Sequence, residues 1–159
     1  MKREDMDEDF SLWGESVHSV LSLMTKTDVW ALFNHPAAPT FYKGRVALLG
    51  DAAHASTPHM GSGAGMAVED VYILGDLLGS IESKKDITKV FGIYDELRRA
   101  RGTKLVDRSR EQGQLYEMEL VGDDPADLRR ELETRCSWVW NYDITQELER
   151  AKQLLSSVS

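Results

Sequence analysis

The segment Val46-Ala47-Leu48-Leu49 is apolar at every position and runs directly into Gly50-Asp51. A strand without alternation is predicted to be buried on both faces, as in the middle of a parallel sheet. Such a strand needs neighbours on both sides. The chain offers one other candidate, Asp28–Phe33, short and rich in apolar and aromatic residues. The segment therefore asks for a sheet that these 159 residues do not contain, which points to a missing portion.

The remainder reads as helical. Trp13, Val17, Val20 and Met24 recur at helical spacing, and His35-Pro36-Ala37-Ala38-Pro39 is a proline-broken loop. Ala67, Val71, Leu74 and Leu78 fall on one predicted helical face, with Gly79 as its stop. A long helical stretch from about Asp86 carries Val90, Phe91, Tyr94 and Leu97, with a bend expected at Gly102. Asp124-Pro125 is a helix start, a capping carboxylate followed by proline at the first helical position. Asp143 with Gln146 resembles a capping box for the last helix, through Leu148 and Leu155. The expected fold class is an α/β fragment, mostly helical with two or so short strands. It is read as one partial domain over 1–159, comprising a lead-in helix and strand (10–43), a strand-loop-helix (44–80) and terminal helices (86–159).

Composition narrows the function. Hydrophobic residues make up 42% and charged residues 29%, which fits a globular chain rather than a disordered one. A net charge of −8 argues against binding nucleic acid or an anionic membrane surface. The single cysteine, Cys136, allows no intramolecular disulfide and reads as a half-buried packing residue. The acidic start has no apolar core and is no secretory signal, so a cytoplasmic setting follows by default.

The chemistry lies between Gly44 and Asp70. A buried strand ends in a turn bearing a carboxylate, and a loop with Gly61, Gly63 and Gly65 then opens a helix. Ligands of open α/β sheets bind at the carboxyl ends of strands, where Asp51 falls. A carboxylate there suits sugar or polyol hydroxyls and is a poor neighbour for a bare phosphate. The glycines let backbone approach a flat ligand, and the helix start presents free N–H groups to an electron-rich acceptor. Alone, Gly50-Asp51 reads first as a turn with a capping aspartate, and the glycine loop equally as punctuation; the two in order after a buried strand are more specific than either. Two other motifs fail on spacing. The G-x-G-x-x-G fingerprint has Met66 where its third glycine should be, and a nucleophile elbow around Ser62 has Met60 in place of glycine.

The run from Gly44 to Asp70, with G-D-A-A-H, Pro58, the glycine turn and the Glu69-Asp70 pair, resembles the second FAD-binding motif of the group A flavoprotein monooxygenases. With Trp30-Ala31-Leu32-Phe33 before it, the segment is similar to fungal salicylate hydroxylase-like proteins. Weaker similarity extends through Tyr94-Asp95, Arg98-Arg99 and Arg101 to Trp138 and Trp140.

The resemblance implies the C-terminal part of an FAD/NAD(P)-binding Rossmann-like fold lacking its N-terminal βαβ unit. It implies that Gly50 and Asp51 hold the ribityl chain of FAD. Pro58 would lie on the substrate and flavin side. Backbone at Gly61, Gly63, Ala64, Gly65 and Met66 would face the isoalloxazine. No residue is assigned a catalytic role. NAD(P)H is the implied co-substrate, and an aromatic ring the implied substrate. Because the fingerprint for the ADP half of FAD is absent, the chain alone is expected to be inactive and to bind FAD poorly. The alternative is a non-catalytic truncated remnant that associates through an exposed sheet edge.

Other side chains carry plainer expectations. No cysteine or carboxylate at ligand spacing accompanies His54 and His59, and His54 is expected to bond backbone near the turn. Glu69-Asp70 reads as solvated or capping. Arg98, Arg99 and Arg101 read as a solvated face, with a structural ion pair as the alternative. Trp138 and Trp140 read as packing residues.

Overall fold

The computed structural model describes residues 1–157 and divides into two compact units, 1–32 and the described residues from 33 onward. The first unit holds α1 (Arg3–Asp9) and α2 (Glu15–Ser22). Glu4 and Asp5 lie in the first turn of α1, where negative charge opposes the helix dipole favourably. Only Val17 and Val20 of the expected apolar row fall within α2. Trp13, Val20 and Met24 are exposed, and Leu21 is the buried residue of that helix.

The strand expected at Asp28–Phe33 does not form. The segment has no ladder partner, and Trp30 and Phe33 stand exposed. The two strands of the second unit are β1 (Tyr42–Lys43) and β2 (Val46–Ala47), an antiparallel hairpin pairing Tyr42 with Ala47 and Lys43 with Val46. Gly44 turns the hairpin at φ 60°, a conformation glycine adopts without strain. The run Val46–Leu49 is thus not a doubly covered parallel strand here. Val46 is 67% exposed, and Leu48 and Leu49 are also exposed.

Beyond the hairpin come α3 (Asp51–His54), a 3₁₀ turn (Pro58–Met60) and α4 (Gly63–Gly79). A second 3₁₀ turn (Lys84–Asp86) leads into α5 (Ile87–Tyr116), 30 residues of unbroken helix. Then follow α6 (Pro125–Arg135), α7 (Ser137–Trp140) and α8 (Ile144–Ser157). Asp124 caps α6 as read from sequence, accepting the amides of Ala126 and Asp127 at 2.9 and 3.0 Å. Asp143 accepts the amides of Thr145 and Gln146 at the start of α8.

α5 is the spine. α3, α4, α8 and the Pro58 turn all pack on it. Ile73, Leu74 and Leu77 of α4 meet Val90, Phe91, Tyr94 and Leu97 of α5 and Leu148 and Ala151 of α8. A smaller cluster joins Met60, Met66 and Leu105 to Cys136, Trp138 and Val139. Cys136 is half-buried in that cluster, as expected.

The buried face of α4 is Met66, Asp70, Ile73, Leu74 and Leu77, turned from the face read in the sequence. Of the expected row only Leu74 is buried, while Val71 and Leu78 are exposed. Ala64, Val68, Val71, Gly75 and Leu78 lie at helical spacing on an exposed stripe, with Val68 69% exposed. No described helix is long and apolar enough to cross a membrane.

Candidate cofactor-facing site

The turn at Gly50 is the hinge of the site. Its φ of 56° and ψ of −139° are accessible to glycine and strained for other residues. A Cβ at Gly50 would also lie 3.1 Å from the Cβ of Ala67, so the turn fits tightly against the first turns of α4. Asp51 follows as the first residue of α3. It is exposed, and among the described residues its carboxylate has no hydrogen-bond partner.

Pro58 opens the 3₁₀ turn and is exposed. Gly61 ends that turn in the left-handed region, at φ 61°. Ser62 precedes α4 without capping it through its side chain, while Met66 N–H donates to Ser62 O at 3.0 Å. The amides of Gly63, Ala64 and Gly65 thus sit at a helix start with no intrahelical acceptor to serve them. Gly61, Ala64 and Gly65 are exposed and Gly63 is half-buried. A Cβ at Gly65 would meet no atom within 4 Å, so packing within the chain does not require glycine there. Met66 offers only its backbone to this surface. Its side chain is buried, and its sulfur accepts from Arg98 Nη2 at 3.0 Å.

Below this surface lies a charged network that the sequence reading placed in solvent. Asp70 and Arg98 are both 0% exposed. Asp70 Oδ1 accepts from Arg98 Nε at 2.9 Å, and Oδ2 accepts Gly50 N–H at 3.0 Å and His54 Nε2 at 2.6 Å. His54 therefore bonds a buried carboxylate rather than backbone. Arg98 also donates to Glu69 at 2.7 Å and Glu147 at 2.9 Å, and Arg101 makes two bonds to Glu69. The ion-pair alternative thus holds for Arg98 and Arg101. Arg99 is more exposed and pairs with Asp95.

Burial alone would raise the Asp70 carboxyl. Hydrogen bonds from His54, the Gly50 amide and Arg98 outweigh it and hold its pKa below the usual aspartate value. Glu69 is likewise lowered against burial, by bonds from Arg101 and Arg98. For Arg98 burial acts downward, yet Asp70 and Glu69 raise its pKa further still.

Arg101 stacks on Tyr142 at 3.4 Å from the ring centroid and lies 5.2 Å from that of Trp138. Trp138 is therefore a packing residue, but Trp140 is largely exposed. Both belong to α7 and not to an extended segment. His59 packs against α5. Among the described residues, no group of three or more His, Cys, Asp or Glu side chains could hold a metal.

A hollow of about 530 Å³ lies along the start of α8, lined by Tyr142, Asp143, Gln146, Glu147, Arg150 and Gln153. Its walls carry charges of both signs, and neither Asp51 nor any of the loop glycines lines it. The candidate surface at Asp51 is instead open: a free carboxylate, unpaired helix-start amides and a glycine that the chain's own packing leaves unexplained.

Residues 16–109 match the family model described as FAD binding domain. The chain belongs to this FAD-binding family. Its relatives include salicylate hydroxylase of Pseudomonas putida, 38% identical over 97% of this chain and 36% of that protein. Another is 6-methylsalicylate 1-monooxygenase of Aspergillus terreus, 32% identical over 98% of this chain and 35% of the relative. A solved salicylate hydroxylase substrate complex superposes with a TM-score of 0.86 at 41% identity, covering 95% of this chain and 38% of that one. The chain thus spans little more than a third of the length of these FAD-binding-family relatives.

Sequence reasoning named Asp70, Arg98 and His54 but not the burial of Asp70 and Arg98 or the His54–Asp70 bond, and it missed Ser109; all four are buried beneath the wall. Gly102 and Gly113, both inside the helix, carry the signal that could have found them, since each has a side chain where its Cβ would lie.

Proposed function

We propose that Gly50 to Met66 form the flavin-facing wall of an FAD-dependent aromatic-ring monooxygenase of the salicylate hydroxylase type. The remaining walls of the cofactor site would come from polypeptide beyond these 159 residues. The observation that carries this reading is the Asp51 carboxylate. It is exposed and unpaired among the described residues, on a turn that only glycine at position 50 accommodates without strain.

The donor set suits the cofactor. Asp51 would accept hydrogen bonds from the ribityl hydroxyls. The amides of Gly63, Ala64 and Gly65, at the positive end of the α4 dipole, would face the pyrimidine edge. Pro58 would border the flavin on the substrate side. FAD would supply the oxygen chemistry, with NAD(P)H as the implied reductant; this chain would orient it and help exclude water.

The exposed stripe Ala64, Val68, Val71, Gly75 and Leu78, and the exposed Val46, Leu48 and Leu49, support an incomplete core awaiting a covering layer. The chain alone is then inactive. The test is calorimetric titration of FAD into the purified chain and into the chain co-expressed with the dinucleotide-binding part of a salicylate hydroxylase. Binding by the co-expressed pair and not by the chain alone is expected. A stoichiometric complex of FAD with the chain alone would contradict the missing-wall reading, and no binding by either would contradict the flavin reading.

A further inference from the structure

α5 meets the candidate wall twice, by the same device. Arg98 and Ser109 are eleven residues apart, and so are Gly102 and Gly113. Arg98 with Gly102, and Ser109 with Gly113, are each a polar anchor with a glycine one turn later on the same helical face, and the two are separated by about 16 Å along the axis. At the first, Arg98 holds Asp70, which holds the Gly50 amide and His54. The His54 ring then lies over Gly102, where a Cβ would come 2.7 Å from Cδ2.

At the second, the Ser109 hydroxyl donates to Thr57 O and accepts from Met60 N at 3.3 Å and Thr57 Oγ1 at 3.2 Å. His59 Nδ1 donates to Ser109 O at 3.2 Å, and its ring lies over Gly113, where a Cβ would come 2.7 Å from Cε1.

Glycine inside a helix costs about 1 kcal/mol relative to alanine. α5 nonetheless runs as continuous helix through Gly102 and Gly113. Their backbones are instead where two imidazoles seat.

We propose that α5 positions the two turns of the wall separately. The Arg98–Gly102 clasp fixes Gly50–His54, which carries Asp51, and the Ser109–Gly113 clasp fixes Thr57–Met60, which carries Pro58. These are positioning residues that touch no ligand themselves. Their relevance to flavin rests on the proposed function; the clasps can be tested without it.

The test is segment-resolved hydrogen exchange and thermal unfolding of the purified chain. Gly113→Ala should raise exchange in 57–61 about tenfold, the scale of one lost hydrogen bond, and leave 50–55 unchanged. Adding His59→Ala removes the ring that the new Cβ strikes, so the double variant should melt no lower than His59→Ala alone. Gly102→Ala with His54→Ala should show the mirror pattern. Ser109→Ala adds no bulk and should loosen only 57–61 should a glycine variant fail to fold. Loosening of both segments by any one substitution, or double variants that lose the sum of the singles, would overturn the proposal. Because exchange is read without flavin, failure here and failure of flavin binding are separable.

Discussion

Asp70 accepts the backbone N–H of Gly50 at 3.0 Å across 20 residues of chain, and the same carboxylate is held by Arg98 from the other side. A buried acid on α4 therefore connects the glycine turn before Asp51 to the spine helix. Asp70→Asn should cost about 3 kcal/mol in urea unfolding, the scale for breaking a buried ion pair. Arg98→Met should cost more, because it leaves Glu69, Asp70 and Glu147 without their shared cation. The reverse order would show that the acid, not the arginine, centres the network.

Gly50→Ala should destabilise by about 1–3 kcal/mol through the positive φ, with the contact to Ala67 adding to it. Gly65→Ala, at a position with open space, should leave unfolding within about 0.5 kcal/mol of the parent. Equal losses at the two glycines would contradict the distinction drawn between a structural and a ligand-facing position.

Asp70 and Glu69 are both held below their ordinary pKa values in the folded chain. Unfolding at acid pH therefore takes up protons. Stability from these groups is complete above the ordinary carboxylate range, about pH 4 to 5, and is lost as pH falls through the lowered folded values. Urea midpoints should drop steeply below about pH 4, and Asp70→Asn should flatten that limb. Parallel acid limbs would contradict the assignment.

Asp124 accepts the first free amides of α6. Asp124→Ala should cost about 1 kcal/mol, read as a lowered urea midpoint. An unchanged midpoint would mean that α6 frays without consequence for the fold.

These elements were not equally legible in the sequence. Asp124-Pro125 and the glycines opening α4 could be read because caps and helix starts are local chemistry. The burial of Asp70 could not, because its partners His54, Arg98 and Gly50 come from three other places in the chain. Reading Asp70 as solvated also shifted the apparent apolar face of α4, leaving Val71 and Leu78 assigned to a core they do not enter. Val46–Leu49 was recognised as a segment wanting cover on both faces. In this chain Val46–Ala47 is one strand of a short hairpin, and the Val46, Leu48 and Leu49 side chains stay open. Gly102 reads as a helix weakness in the sequence, while in the fold the His54 ring occupies the space its Cβ would take.

The most direct measurement is FAD affinity of the co-expressed pair, with Asp51 against Asp51→Ala, followed by flavin fluorescence. Loss of charge-assisted hydrogen bonds to the ribityl hydroxyls should weaken binding about tenfold to a hundredfold, with the unfolding midpoint unchanged because Asp51 has no partner among the described residues. An affinity equal to the parent's would contradict the account, since the exposed carboxylate at the turn would then be no part of the cofactor site.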